Sequence, residues 1–299
     1  MVRIFTIILI LLRPIFSFAG SCCGQSPSSF TILNSQQRLN LSTSFSALET
    51  EGRVFNDQSF LPWSEKRRRI NSLSLTVAST FKELHQVFLS FSHQTGIYSN
   101  SFTEASSSHL SDSLFGYSYE IYPEFSFSYW KPRVFITALL NIPTGLSVFE
   151  PGGLSEGTQV TGHNQWGSGL GITLLKTYYP FSITLQFKTL TLYSKDFGNV
   201  QVSDFNDSSV AFLMSYASQI KDIQLNSGIT FNHLSGRTTL PSNQSSQPSQ
   251  SYTLVAGLQK PIDDWWTMAL TYSDQSLIGP ARNSLLNKTL SFNLNYNYF

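Results

Sequence analysis

From residue 39 onward, apolar side chains recur at every second position in segment after segment, with small polar residues between them. Leu39, Leu41, Thr43, Phe45 and Ala47 form a first set, and Leu73, Leu75, Val77, Ser79 and Phe81 a second. Val87, Leu89 and Phe91 follow after the link Lys82-Glu83-Leu84. The longest run takes in Phe115, Tyr117, Tyr119, Ile121, Pro123, Phe125, Phe127 and Tyr129. A period of two is the geometry of a strand with unlike faces. This run exceeds the ~5–6 residues of an average soluble strand and suits a tilted membrane strand. Residues 134–142 alternate next, then sets around Ile172, Leu185, Met214, Ile229, Leu254 and Leu270, and last Leu290, Phe292, Leu294, Tyr296 and Tyr298.

The links between these strands alternate in length. Short ones are expected at Lys82, Pro132, Pro180, Lys221 and Asp263, with long ones between them. Short periplasmic turns and long extracellular loops, with both chain ends on the periplasmic side, require an even strand count. Phe81, Trp130, Tyr178, Tyr179, Trp265, Trp266 and Tyr298 all fall at the ends so placed, where an interfacial aromatic girdle belongs. The predicted fold is all-β: a closed antiparallel transmembrane β-barrel of about twelve strands. A secreted β-sandwich would also alternate, but its strands are shorter and need no two-length rhythm of links.

Composition sharpens this picture. Charged residues are 12% of the chain, about half the share usual in soluble proteins. After the N-terminus no stretch is apolar for the ~20 residues that a spanning helix needs. Residues 1–19 combine a basic start at Arg3, an apolar core from Ile4 to Leu12 and the small-residue motif Ser17-Phe18-Ala19, which predicts a signal peptide. Its loss removes Arg3 and Arg13 and takes the formal charge from +1 to −1, which gives no support for nucleic-acid binding. Residues 20–37, rich in Ser, Gly and Pro, read as a periplasmic lead-in, and residues 38–299 as the barrel. The only cysteines, Cys22 and Cys23, are adjacent and cannot staple distant segments. Ala19-Gly20-Ser21-Cys22 loosely matches a lipidation motif, so Cys22 is either a lipid anchor or part of a solvated thiol pair.

The chain closes on Asn295-Tyr296-Asn297-Tyr298-Phe299, similar to the terminal signal by which the barrel-assembly machinery recognises outer-membrane strands. Three further stretches carry a family resemblance: Trp130-Lys131-Pro132-Arg133-Val134-Phe135, Asn141-Ile142-Pro143-Thr144-Gly145, and Val160-Thr161-Gly162 followed by Gly167-Ser168-Gly169-Leu170-Gly171. Over residues 113–195 the chain resembles the outer-membrane family labelled as meta-pathway phenol-degradation proteins. The resemblance implies a barrel of this size and says little about its solute.

If the apolar sets face lipid, the lumen is lined by residues such as Ser72, Ser74, Thr76, Ser90, Gln186, Asn232 and Asn293. Such a wall is neutral and hydrogen-bonding, without rings of charge. Glu120, Glu124 and Lys188 stand out as inward charges, either at a polar constriction or in an ion-pair network that fills a closed barrel. Lys66, Arg67, Arg68 and Arg69 lie where the first long loop enters the second strand. There they would meet lipopolysaccharide phosphates or simply end a solvated strand. His233-Leu234-Ser235, with Asn243 downstream, has the spacing of a rim phospholipase pair. His85, His93, His109 and His163 are scattered without ligand spacing, so no metal is expected, and no cofactor. The glycine-rich residues 167–171 lack the Lys and helix of a phosphate loop. The function expected is a passive channel or uptake protein for small neutral or weakly polar solutes. A structural or adhesive barrel without a pore is the alternative, and a rim phospholipase the third reading.

Overall fold

The computed structural model describes residues 30–33, 37–64, 66–100, 102, 104–124, 128–150, 159–198, 200–218, 222–242, 244–279 and 281–299. The expected signal peptide, Cys22 and Asn243 lie outside the described residues. Twelve long strands form one closed antiparallel barrel. In chain order they are β1 (Leu39–Val54), β2 (Arg67–Phe81), β3 (His85–Ser99), β4 (Ser113–Tyr122), β5 (Arg133–Ile142) and β6 (Gly167–Tyr178). Then come β7 (Phe181–Leu192), β8 (Phe205–Ala217), β9 (Gln224–Leu234), β10 (Ser249–Pro261), β11 (Trp266–Asp274) and β12 (Ser284–Tyr298). Each pairs with its neighbours in sequence, and β1 closes the wall on β12 from Leu39↔Tyr298 to Val54↔Ser284. Closure pairs each of these twelve strands on both sides, which is what allows strands to stand in lipid.

The two faces of the wall invert the arrangement of a soluble protein. Outward Leu73 and Leu170 are 53% and 59% exposed, whereas inward Ser118, Thr137 and Thr230 are 0% exposed. Inward hydroxyls are satisfied across strands, as where Ser118 Oγ lies 2.8 Å from Thr137 Oγ1. Among the described residues no helix is long and apolar enough to cross a membrane.

The link rhythm holds with one exception. Residues 82–84, 179–180 and 262–265 make tight turns at the end of the barrel that also holds Leu39 and Tyr298. The link expected to be short at Pro132 instead takes in residues 123–132, and the expected strand through Tyr129 ends at Tyr122. Pro123 has no N–H to donate to a ladder, and the register already slips between Glu120 and Tyr122. Trp130 in this link is 89% exposed, in keeping with a girdle position. At the opposite end, two long loops join: Lys195–Asp196, Gln201–Val202, Thr238–Leu240 and Gln244–Ser245 form a separate small sheet.

Candidate functional site

The barrel encloses a lumen, and here it is divided. Residues 30–33, expected in a periplasmic lead-in, instead lie inside it, and Phe30, Ile32 and Leu33 are buried. Two inward glutamines hold their backbone as a strand neighbour would. The Phe30 N–H donates to Gln186 Oε1 (3.3 Å) and Gln186 Nε2 donates to the Phe30 carbonyl (3.0 Å). The Leu33 N–H donates to Gln86 Oε1 (2.8 Å) and Gln86 Nε2 donates to the Leu33 carbonyl (2.9 Å). Backbone groups out of water must be paired, and a carboxamide offers both a donor and an acceptor in one plane. The Phe30 ring stacks parallel to Phe88, centroids 6.2 Å apart. Glycines make the room: a Cβ on Gly171 would stand 2.4 Å from the Phe30 ring, and one on Gly116 2.0 Å from Phe88. Gly171, in the glycine-rich strand noted in the sequence, is therefore a seat for an aromatic ring. Just before β1, buried Gln37 donates to Asn297 Oδ1 (3.0 Å), which also accepts from Asn40 (2.8 Å).

Where apolar side chains of β3 to β8 meet residues 30–33, the lumen is filled. Phe88, Phe135, Leu139, Leu175, Leu190, Leu192 and Phe205 form one buried apolar cluster with Phe30, Ile32 and Leu33. Elsewhere it is polar and open. One cavity of about 270 Å³ runs along Ser44, Ser46, Ser72, Ser74, Ser90 and Ser92, with Phe30 and Phe88 as its apolar wall. A second, also about 270 Å³, lies nearer the long-loop end among Lys188, Asp207, Asn232, Ser273 and Asn287. Thr289 lines both.

The charged residues singled out in the sequence do not share a site. Glu120 does face inward, and Arg133 grips it with two hydrogen bonds, from Nε (2.6 Å) and Nη2 (2.8 Å). Glu124 lies beyond the end of β4. It pairs with Lys176 (2.5 Å), which shares the outer face of β6 with Leu170 and Ile172. Lys188 faces inward, but its partner is Asp207 across the β7–β8 pair (2.9 Å) rather than either glutamate. Of the basic quartet, Lys66, Arg67 and Arg69 are exposed, while alternation turns Arg68 to the inner face beside Tyr98. Arg133, Lys176 and Asp207 were not found from sequence, because each partner choice depends on strand register.

Two motifs of the family resemblance, Pro143-Thr144-Gly145 and Thr161-Gly162, meet at Asp112. Its carboxylate accepts the N–H of Gly145 (2.9 Å), His163 (2.7 Å) and Asn164 (3.2 Å), so both halves of the loop at residues 143–166 are tied down at the rim. Gly162 packs so closely that a Cβ would stand 2.6 Å from this carboxylate. Above it the Arg237 guanidinium lies over Phe149 (4.8 Å) and Phe205 (5.5 Å), and His163 meets Phe205 edge-on at 5.1 Å. Burial, reinforced by Arg237, holds the His163 imidazole below its usual pKa. The phospholipase pair is not assembled. His233 Nδ1 faces Gln250 Nε2 (3.4 Å), while Ser235 Oγ accepts the Asn206 N–H (2.8 Å). Among the described residues no group of three or more His, Cys, Asp or Glu could hold a metal ion.

No family model and no curated protein sequence matches the chain. Among solved structures, the COG4313 outer membrane channel from Pseudomonas putida F1 superposes with a TM-score of 0.71 at 12% identity, covering 92% of this chain and 100% of that one. The NanC porin superposes with a TM-score of 0.50 at 9% identity, covering 86% of this chain and 100% of that one. At such identities the likeness concerns architecture: the chain has the fold of an outer-membrane β-barrel.

Proposed function

We propose that this protein is a passive outer-membrane channel for small neutral or weakly polar solutes, stoppered by its own residues 30–33. The supporting observation is the pair of cavities along the hydroxyl-lined part of the lumen, which share Thr289, the lower of them ending against Phe30. The wall offers hydrogen bonds without a ring of like charge, a lining that suits neutral solutes better than ions. The plug is held by two glutamines, one stacked ring and the burial of Phe30, Ile32 and Leu33, and removing the glutamines takes away the hydrogen bonds that fix its backbone. On this reading the long loops face outward, Lys66, Arg67 and Arg69 meet lipopolysaccharide phosphates, and β12 presents the assembly signal.

The test is conductance in planar bilayers together with solute flux into liposomes. The native chain should conduct weakly, and the pair Gln86→Ala with Gln186→Ala should conduct severalfold more. Closed bilayers from both chains would remove the channel reading. The second reading, a structural barrel without a pore, draws on the apolar cluster that fills the other half of the lumen.

A further inference from the structure

The cavity nearer the long-loop end differs in chemistry from the one below it. Lys188 and Asp207 line it as an ion pair, Nζ to Oδ2 at 2.9 Å. Around them stand Asn232, Ser251 and Ser273, and among the described residues none of these three side chains has a hydrogen-bond partner in the protein. The opposite wall is pre-built. Gln275 Oε1 accepts both the backbone N–H and the side-chain amide of Asn287 (3.1 Å each), and Asn287 Oδ1 accepts from Thr50 (2.8 Å). Leu48 is the apolar member of the lining, and no aromatic ring takes part.

Three ligand classes fare differently here. An ion of either sign would meet a like charge in the Lys188–Asp207 pair, and binding it would break that pair. A hydrocarbon or plain aromatic solute would leave the carboxamide, two hydroxyls and the second Asp207 oxygen dry and unpaired, at about 1–3 kcal/mol for each group. A neutral polyhydroxylated solute satisfies them. Its neighbouring hydroxyls donate to Asp207 and to Asn232 Oδ1 and accept from Lys188, Ser251 and Ser273. The volume of about 270 Å³ admits one small ring or a short polyol and no more. We infer that this cavity is a binding site for a monosaccharide-sized neutral polyol, with Asp207, Lys188, Asn232 and Ser273 as its recognising groups. The inference rests on the channel reading for how a solute arrives, but binding itself can be measured apart from passage.

The experiment uses the full chain refolded in detergent, with D-glucose and myo-inositol as probes and phenol as contrast, followed by saturation-transfer NMR and calorimetry. Saturable binding of at least one polyol is expected, weakened roughly tenfold or more by Asn232→Leu and by the milder Ser273→Ala. Ser90→Val, in the lower cavity, should leave it unchanged. Heat-modifiable migration on a gel confirms that each variant is folded, and Ser273→Ala decides the matter should Asn232→Leu fail to fold. No saturable polyol binding, equal binding by Asn232→Leu and the native chain, or phenol binding at the same place would each overturn the assignment. Flux into liposomes without polyol binding removes the site and leaves the channel; polyol binding without flux keeps the site and ends the channel reading.

Discussion

The two halves of the lumen are built from the same strand geometry and do opposite things with it. Along β3 to β8 several inward positions carry long apolar side chains, Phe88, Phe135, Leu139 and Leu190, which pack with residues 30–33 into one buried cluster. Along β12, β1 and β2 they carry serines and threonines, too short to reach across, and space remains. A barrel thus becomes a core or a conduit according to the length of its inward side chains, with no change in the wall.

The largest effect should come from truncating the filled half. Phe135→Ala removes a wholly buried ring and should lower stability by about 3–5 kcal/mol, read as the denaturant midpoint in detergent. Ser74→Ala on the open side should move it by less than about 0.5 kcal/mol. Equal losses would mean that the open half is packed as well. Next, Arg133→Met leaves Glu120 buried without its cation and should cost about 3 kcal/mol. Gly171→Val tests the junction of the halves. Its Cβ invades the Phe30 ring, so the plug should leave, at a cost of about 1–3 kcal/mol and with a rise in conductance. Unchanged conductance would show that residues 30–33 are not the obstruction. Lys188→Met, beside a partly exposed Asp207, should cost about 1–2 kcal/mol, and the exposed control Lys66→Met less than about 0.5 kcal/mol.

The smallest expected effect is a dependence on pH at the rim. The folded-state pKa of His163 is lowered, chiefly by burial, so the unfolded chain binds the proton more readily. The stability this contributes is complete above the ordinary histidine value of about 6.5 and is lost as pH falls from there toward the folded value. His163→Gln should flatten that part of the profile. A profile unchanged by the substitution would place the imidazole in contact with water.

The wall was legible in the sequence because every strand touches lipid on one side. Leu73, Leu75 and Val77 had to alternate with Ser74 and Thr76, whatever the strand's neighbours. What the lumen holds was not legible, for want of such a constraint. Residues 30–33 form a four-residue run with no period to read, though they are an apolar stretch amid polar residues. The end of β4 was misplaced because Phe125, Phe127 and Tyr129 keep step with the strand beyond Pro123. The inward positions of Glu120 and Lys188 follow from alternation alone. Asp112, which gathers Thr161-Gly162 and Pro143-Thr144-Gly145 around one carboxylate, has no local mark at all.

The plug also bears on how such a cylinder comes to be made. The seam joins Leu39 to Tyr298, so the final pairing brings together nearly the whole length of the chain, at the greatest entropic cost of any ladder in the molecule. Residue 30 is fastened to Gln186 and residue 33 to Gln86, contacts that span the interior and involve neither seam strand. Were they made while the sheet is still half-rolled, they would carry the start of β1 round toward the far wall and shorten the gap that β12 has left to close. The stopper of the finished pore would then be the mandrel on which it was rolled, and a chain lacking residues 30–33 should close its seam more slowly.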